Sequence, residues 1–519
     1  MIKLGGNTMR KKTWLTASLI SLSLMLSACG SNGNTGGSTT DPTNNSGTKT
    51  GEEKPQKIDE LNVAFLSVTG TPPDMKAVED EINKITKDKI NVAVNLMPIN
   101  YGAYAQQVNL MLTSNEKLDL IVVGSPFGFS SQVSRGQLLP LDELLEKNGE
   151  NIRNALDPVY LNASKVDGKI YGVTPVRDLA TANGFTMRKD LADKHGIDVS
   201  TIKTLDDVEA ALKIIKDKEP GITPLIPSGA GFSFLTSYSW NDGLGNGMGV
   251  LPGYDNGLKL VNSVESPEYA ALLKQMRSWY EAGYTLKDAP TNKSSQIELM
   301  KADRAFGYLS KLKPGFDAQE SRSIGKEMIS ATLSEPVSMT DHVLNIMWGI
   351  PRQAENPEAS IKFLDLMYGD ADIVNLLDWG IEGKHYIKVS DNVIKYPEGV
   401  TMLTNGYNLN MSWLFGNQFL SYVFEGEDPD IWQKMKDFNE QAVKSKAMGF
   451  TMNPEAVKTE IAAVSNVIAQ YYLVLETGSV DPDKILPQFI EKLKAAGIEK
   501  VIADKQRQLD EWAKSEGVQ

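Results

Sequence analysis

Between Leu61 and Val123 the apolar pattern switches repeatedly between two periods, and this alternation constrains the fold more than any other stretch of the chain. Leu61 to Ser67 reads as a short strand. Pro72 and Pro73 then open a helix with Met75, Val78, Ile82 and Ile85 on one face, and Val92, Val94 and Leu96 alternate as a second strand. Tyr104, Val108, Met111 and Leu112 mark another amphipathic helix. Leu118 to Val123 is almost wholly apolar and stops at Gly124, Ser125 and Pro126. A strand with so little polar alternation is buried on both faces, as in a parallel sheet with helices above and below. The order strand, helix, strand, helix, strand is thus the opening of a doubly wound α/β sheet. Such sheets bind ligands beyond the carboxyl ends of their strands, here residues 100–104 and 124–129.

The alternation continues downstream. Lys169 to Thr174 and Ala182 to Met187 read as strands, the second leading into a helix from Lys189. Leu205 to Asp217 and Pro267 to Ala282 are amphipathic helices, Ala305 to Leu309 is a strand, and Leu344 to Ile350 is a buried strand. Asn356 caps and Pro357 opens a helix carrying Ile361, Leu364 and Met367, which Gly369 stops. Asp483 to Trp512 is helical with a break at Gly497. Such elements over 519 residues, 41% of them hydrophobic, supply enough apolar surface for two or more domains.

The cysteine inventory removes whole classes of chemistry. Cys29 is the only one, so disulfide scaffolds, thiolate-held zinc or iron–sulfur sites and a cysteine nucleophile are excluded from everything beyond it. His195, His342 and His385 lie far apart without metal-binding spacing, so no metal and no cofactor is expected. There is no GxSxG elbow and no P-loop. Lys49-Thr50-Gly51 and Ser390-Asp391-Asn392 match fragments of penicillin-recognising enzymes, but the first lies in a low-complexity stretch that cannot line a strand-built site.

Lys3, Arg10, Lys11 and Lys12 precede an apolar run from Leu15 to Leu26 that closes on Ser27, Ala28 and Cys29. The run is too short to span a membrane and has the basic flank and small residues of a signal peptide. Leu26-Ser27-Ala28-Cys29 resembles the lipobox of bacterial lipoproteins, whose cysteine is diacylated and becomes the mature N-terminus. The other reading is an ordinary secretory signal with a chance cysteine. Translation from Met1 or from Met9 stays open, because Met1 to Thr8 has no role in the pattern. From Gly30 to Lys57 the chain is dominated by Gly, Ser, Thr, Asn and Pro, and a random coil of that length reaches about 30 Å. Lipid on Cys29 would be the membrane anchor, since no second stretch approaches the ~18 apolar residues of a spanning helix. Loss of the leader takes the net charge from −13 to about −17 with no basic stripe, which argues against a nucleic-acid partner.

The lipobox and tether precede the βαβαβ opening with Leu118-Asp119-Leu120-Ile121, then Gly136-Gln137-Leu138-Leu139-Pro140-Leu141-Asp142. Gly168-Lys169-Ile170-Tyr171-Gly172-Val173 leads on to Met187-Arg188-Lys189-Asp190-Leu191. In that order the features resemble the extracellular solute-binding proteins of bacterial ABC importers, in the large lipoprotein type related to maltose-binding protein. Trp379 to Tyr386, Trp413 to Asn417 and Leu486 to Trp512 resemble a subgroup with an extra C-terminal domain of unassigned role.

The resemblance implies a two-lobed, periplasmic-binding-protein-like α/β fold. Each lobe is a doubly wound sheet with flanking helices, and the chain crosses a hinge near 174–182, 331–337 and 395–405. The corresponding domains are a signal peptide (1–28), a lipidated Cys29 with tether (29–57), lobe 1 (58–178 plus 338–398), lobe 2 (179–337 plus 399–480) and a C-terminal helical segment (481–519). The implied function is that of a lipid-anchored substrate-binding subunit on the extracytoplasmic face of the cell membrane. It would be a monomer and no enzyme, capturing a carbohydrate in the interlobe cleft and delivering it to the ABC permease by hinge closure.

Sugars present C–H faces to aromatics and hydroxyl edges to polar side chains. Ser125 and Phe127 come directly after the third strand and are candidates for the cleft, or else form a simple turn. Arg177 and Asp178 at the first crossing read as ligand contacts or as a structural ion pair. Trp240 and Asp242 lie in an aromatic and glycine-rich run, where Trp240 stacks on ligand or packs in the core. Trp379 and Glu382 lie in a glycine-containing loop, and Trp413 is evenly balanced between cleft and core. Two alternatives stay open: a glycoside hydrolase, which needs only two carboxylates at the right separation, and a peptide-binding lipoprotein.

Overall fold

A computed structural model describes residues 57–68, 70–114 and 116–518 of the protein. The expected signal peptide, Cys29 and nearly all of the expected tether lie outside the described residues. In chain order the principal strands are β1 (Asp59–Ser67), β2 (Val92–Asn100), β3 (Leu120–Val123), β4 (Ala182–Arg188), β5 (Thr223–Leu225), β6 (Ala305–Leu312), β7 (Met328–Thr332) and β8 (Met347–Gly349). Among the helices are α1 (Met75–Ile90), α2 (Tyr101–Ser114), α3 (Leu205–Lys218), α4 (Pro267–Glu281), α5 (Pro357–Gly369), α6 (Lys458–Glu476), α7 (Pro482–Ala496) and α8 (Ile498–Glu516).

The first sheet has the order β8–β3–β1–β2. β1 pairs in parallel with β2, from Asp59 opposite Val92 to Ser67 opposite Asn100, and in parallel with β3. α1 lays Met75, Val78 and Ile82 on the sheet and ends at Asn91, whose left-handed φ of 56° is one that asparagine tolerates. Tyr104 of α2 is fully buried and donates its hydroxyl to the Val122 carbonyl at 2.8 Å, fastening the helix across the strands. The helix α5 starts as its sequence predicts, with the Asn356 side chain accepting from the Ala359 N–H.

The second sheet has the order β7–β4–β6–β5. α3 opens with a reciprocal capping box between Thr204 and Asp207 and buries Val208, Leu212 and Ile215; α4 buries Met276 and Trp279. Each sheet contains one reversed strand. β8 runs antiparallel to β3, and β4 runs antiparallel to both β6 and β7. In both cases the reversed strand is the one the chain enters on arriving from the other sheet. Met347, the first residue of β8, lies opposite Val123, the last of β3; Ala182, the first of β4, lies opposite Leu312, the last of β6. The chain therefore arrives at the carboxyl-end rim of each sheet, and that rim is where ligands of α/β sheets bind.

The crossings lie side by side, tied by single bridges from Thr181 to Val337 and by the short pairing of Val337–Ser338 with Val443–Lys444. The first two fall where the sequence places them. The third does not: Tyr407, Leu409, Met411, Leu414 and Phe415 are buried in the core of the first sheet, with Phe415 edge-on to Phe65 at 5.3 Å, so the passage comes near Val443 and not at 395–405. The expected buried strand from Leu344 is also shorter, because Thr340–Leu344 forms a helical turn. Of Lys169 to Thr174, only Lys169–Ile170 is regular strand, with Val173 bridging Trp348.

The C-terminal helices begin earlier than 481. α6, α7 and α8 enclose a core of Val464, Leu475, Phe489, Leu493, Val501 and Leu509, which is continuous with Leu244, Met248 and Leu251 of the glycine-rich run and with Tyr269 and Leu273 of α4.

Candidate ligand-binding site

On the first sheet the rim is built from the residues just past the carboxyl ends of β1, β2 and β3. Val68 and Tyr101 are both more than half exposed there, and Tyr101 sits edge-on to the buried Phe127 at 6.2 Å. Phe127 is in turn edge-on to Tyr104 at 5.1 Å, so an exposed ring rests on a ladder of fixed rings. Ser125 is exposed beside them. Gly124 lets the second crossing approach, since a Cβ at this position would lie 2.3 Å from the Asn345 carbonyl oxygen.

On the second sheet the rim is polar. Asn183 and Lys311 are cross-strand partners at the carboxyl end of β6. The Asn183 amide donates to the Ser239 carbonyl at 2.7 Å and its oxygen accepts from the Ser239 N–H at 3.1 Å. Lys311 Nζ donates to Asn183 Oδ1 at 3.0 Å and to Ser239 Oγ. Burial with no carboxylate partner pushes the Lys311 ammonium down to about 8.

Between the two rims stand the crossing residues. Arg177 donates to Asp178 Oδ1 at 3.0 Å and to the His342 carbonyl at 2.8 Å, and Lys313 reaches Asp178 Oδ2 at 2.8 Å. Burial alone would raise the Asp178 carboxyl, but Lys313 and Arg177 outweigh it and hold the group below the ordinary carboxylate range. Burial, reinforced by Lys311 and Arg177, pushes the His342 imidazole down to about 4, so the ring is neutral at physiological pH. Asn439 locks the crossing by donating to the Arg177 carbonyl at 2.6 Å and accepting from the Leu179 N–H at 3.0 Å.

Of the candidate residues, Ser125, Phe127, Arg177 and Asp178 thus lie at the rim or on the crossing. The others are placed elsewhere. Trp240 stacks on Tyr269 of α4 at 6.2 Å and borders two cavities of about 620 and 700 Å³, one of them lined also by Asp206, Glu209, Tyr238 and Glu268. Asp242 is fully buried, accepts from the Leu244 N–H at 2.9 Å, and is raised above the ordinary carboxylate range by that burial. Trp379 is buried, stacks on Phe424 at 5.7 Å and donates to Ser421 Oγ at 2.9 Å. Glu382 is exposed and pairs with Lys388 at 3.4 Å, and Trp413 is half-buried against the first core. Sequence reasoning placed residues 100–104 at a ligand-binding strand end without naming Tyr101, weighed His342 only as a metal ligand, and did not single out Asn183, Ser239 or Lys311. A signal existed for two of them: Tyr101 comes directly after an alternating strand, and Lys311 lies two residues beyond the apolar run of β6.

Among the described residues no group of three or more His, Cys, Asp or Glu side chains is placed to hold a metal, and no helix is long and apolar enough to cross a membrane.

A sequence model for the family described as "Bacterial extracellular solute-binding protein" matches residues 69–373, which is more than half of the chain. The chain belongs to this family. As a bacterial extracellular solute-binding protein it is a binding protein of the two-lobed α/β fold and not an enzyme. A second sequence model, of a domain of unknown function, matches residues 446–514, the region in which the C-terminal helices lie. A carbohydrate ABC transporter substrate-binding protein of Streptococcus pneumoniae is 29% identical over 516 residues, covering 98% of this chain and 99% of the relative. The N-glycan transport solute-binding protein NgtS of S. pneumoniae superposes with a TM-score of 0.77 at 27% identity, over 88% of this chain and all of that one. In complex with Man5GlcNAc the same protein superposes with a TM-score of 0.66, at 27% identity over 88% of this chain and 99% of that one.

Proposed function

We propose that this solute-binding protein is the lipid-anchored, extracytoplasmic substrate-binding subunit of an ABC importer, and that it takes a carbohydrate between its lobes and hands it to the transmembrane permease on closure. The observation that carries the reading is the rim itself. Both sheets turn their carboxyl ends toward the crossings, one bearing the exposed Tyr101 on its ring ladder, the other the Asn183, Ser239 and Lys311 hydrogen-bonding set. An aromatic platform on one rim and a row of amide, hydroxyl and ammonium groups on the other suit a pyranose, which has an apolar face and a hydroxyl edge.

The relatives support a sugar ligand by what they are described as transporting. NgtS fits this chain better in one structure than in its Man5GlcNAc complex, a difference of conformation because the relative is the same protein, and this favours lobes that move about the crossings. Lobe 1 is then 58–178 with 338–441, lobe 2 is 179–337, and the C-terminal body continues from lobe 2. Arg177, Asp178, Ser125 and Phe127 belong to the cleft in this reading, and Trp240 to an outlying subsite. The anchor would be a diacylated Cys29, for which the Leu26-Ser27-Ala28-Cys29 sequence is the support.

A panel of mono- and oligosaccharides, including mannose-capped N-acetylglucosamine oligosaccharides, tests the reading by thermal shift and small-angle scattering. A bound sugar raises the melting temperature by mass action and reduces the radius of gyration. If neither changes for any sugar while a peptide library gives both, the carbohydrate assignment is wrong and the peptide-binding alternative takes its place.

A further inference from the structure

Lys311 is a cation without an anion. It is half-buried, and among the described residues its ammonium meets only neutral oxygens, those of Asn183 and Ser239, with no carboxylate in ion-pair reach. Its neighbours deepen the imbalance. Among the described residues Arg177 and Lys313 share the carboxylate of Asp178, which leaves three cations to one anion at the junction in a chain whose net charge is −13. Among the described residues two more polar atoms of this group, Arg177 Nε and His342 Nδ1, are shut off from solvent and have no hydrogen-bond partner. Proteins pair or hydrogen-bond buried charges because an unmatched one is costly. An unmatched cation at the carboxyl-end rim, where α/β sheets bind their ligands, is therefore a demand for negative charge from the ligand.

The geometry points to a carboxylate-bearing sugar as the preferred ligand: we infer that Lys311, held by Asn183 and Ser239 at the carboxyl end of β6, is the acid-recognising group of the cleft, with the Arg177 and Lys313 charges behind it. The inference rests on the carbohydrate reading and narrows it from sugars in general to uronic or ulosonic acids. One carboxylate oxygen takes the ammonium hydrogen that Asn183 and Ser239 leave free. The planar anion also brings negative charge toward the guanidinium, and the sugar ring remains free to lie against an aromatic on the opposite rim.

Isothermal titration of the full chain with matched pairs tests this: trigalacturonate against galactotriose, and 3′-sialyllactose against lactose. At least one acid is expected to bind about tenfold or more tightly than its neutral partner, and the preference is expected to shrink between ~0.05 and ~0.5 M salt. The two acids separate a uronate from a sialate. Lys311→Met is expected to bring acid and neutral affinities together, the acid losing more than the neutral sugar, and Lys311→Arg to keep the preference. Should Lys311→Met fail to fold, the Lys311→Arg variant and the salt series decide alone. Neutral sugars binding as well as their acids would overturn the inference and leave the carbohydrate reading intact. An acid preference that survives in folded Lys311→Met would overturn the assignment to Lys311. No binding of any glycan, acid or neutral, in this series and in the sugar panel would remove both.

Discussion

Lys505 of α8 donates its ammonium to Asn246 Oδ1 at 2.6 Å, so a side chain from the last helix fills the concave side of the glycine-rich run. The same nitrogen donates to the Leu244 carbonyl at 3.3 Å and the Gly249 carbonyl at 3.1 Å, and the residue is fully buried. Burial pushes its pKa down to about 7, against the pull of Asp341 and Asp242 nearby. The C-terminal body and the second lobe are thereby joined through a polar plug as well as through the apolar core they share.

Lys505→Met is expected to cost about 2–4 kcal/mol, because three acceptors lose their donor and Asp242 and Asp341 lose their counter-charge while apolar volume is roughly kept. Urea unfolding monitored by fluorescence measures it. A change of less than about 0.5 kcal/mol would mean that the plug does not hold the loop.

Glu476 of α6 is a second buried link, accepting from Tyr269 at 3.1 Å and from Ser233 at 2.5 Å. Burial raises its carboxyl to about 7, only partly offset by the hydroxyls of Ser233, Tyr269 and Tyr472. A folded-state pKa above the unfolded value means that the folded form holds the proton more tightly. This stabilisation is complete below about pH 4.5 and is lost as pH rises through about 7. Glu476→Gln keeps an acceptor but carries no titratable proton. Its stability relative to the parent is expected to climb by about 2–3 kcal/mol between those pH values, measured as denaturation midpoints across the range. A flat difference would show that Glu476 does not titrate in this window.

The first lobe was legible because its pattern is periodic: Val92, Val94 and Leu96 alternate, Leu118 to Val123 is an almost unbroken apolar run, and Asn356-Pro357 is an explicit helix start. The third crossing was not. Tyr407, Leu409 and Met411 enter the core as irregular backbone, and no period marks such a segment. α6 escaped for the opposite reason. Its stripe of Ile461, Val464, Ile468, Tyr471 and Leu475 is accompanied by Ala462, Ala463, Leu473 and Val474 on the other faces, so the helix is apolar most of the way round and its period is blurred. Aromatic residues were the least readable. Trp379 was a candidate and Tyr101 was not, yet Trp379 is buried on Phe424 and Tyr101 is half exposed at the rim, and only the third dimension separates them.

Gly124→Ala is expected to destabilise the protein by about 2–4 kcal/mol, since the added methyl would meet backbone at 2.3 Å and no flexible side chain can yield. Thermal unfolding checks it. A variant as stable as the parent would show that the second crossing is free to shift.

Tyr101→Ala is expected to leave stability within about 0.5 kcal/mol, because the ring is exposed, while lowering sugar affinity about tenfold or more, near 1.4 kcal/mol. Calorimetry with a sugar that shifts the melting temperature measures it. Unchanged affinity would remove Tyr101 from the platform.

The strand that arrives from the other lobe also sets an order of manufacture. β4, β5, β6 and β7 come from one uninterrupted stretch of chain, whereas β3 waits for β8, more than two hundred residues later, and for Phe415 beyond that. On the ribosome the second lobe can close while the first still shows Ile121 to Val123 as an open apolar edge. The lobe whose sequence was easiest to read is thus the one that must wait longest to be finished.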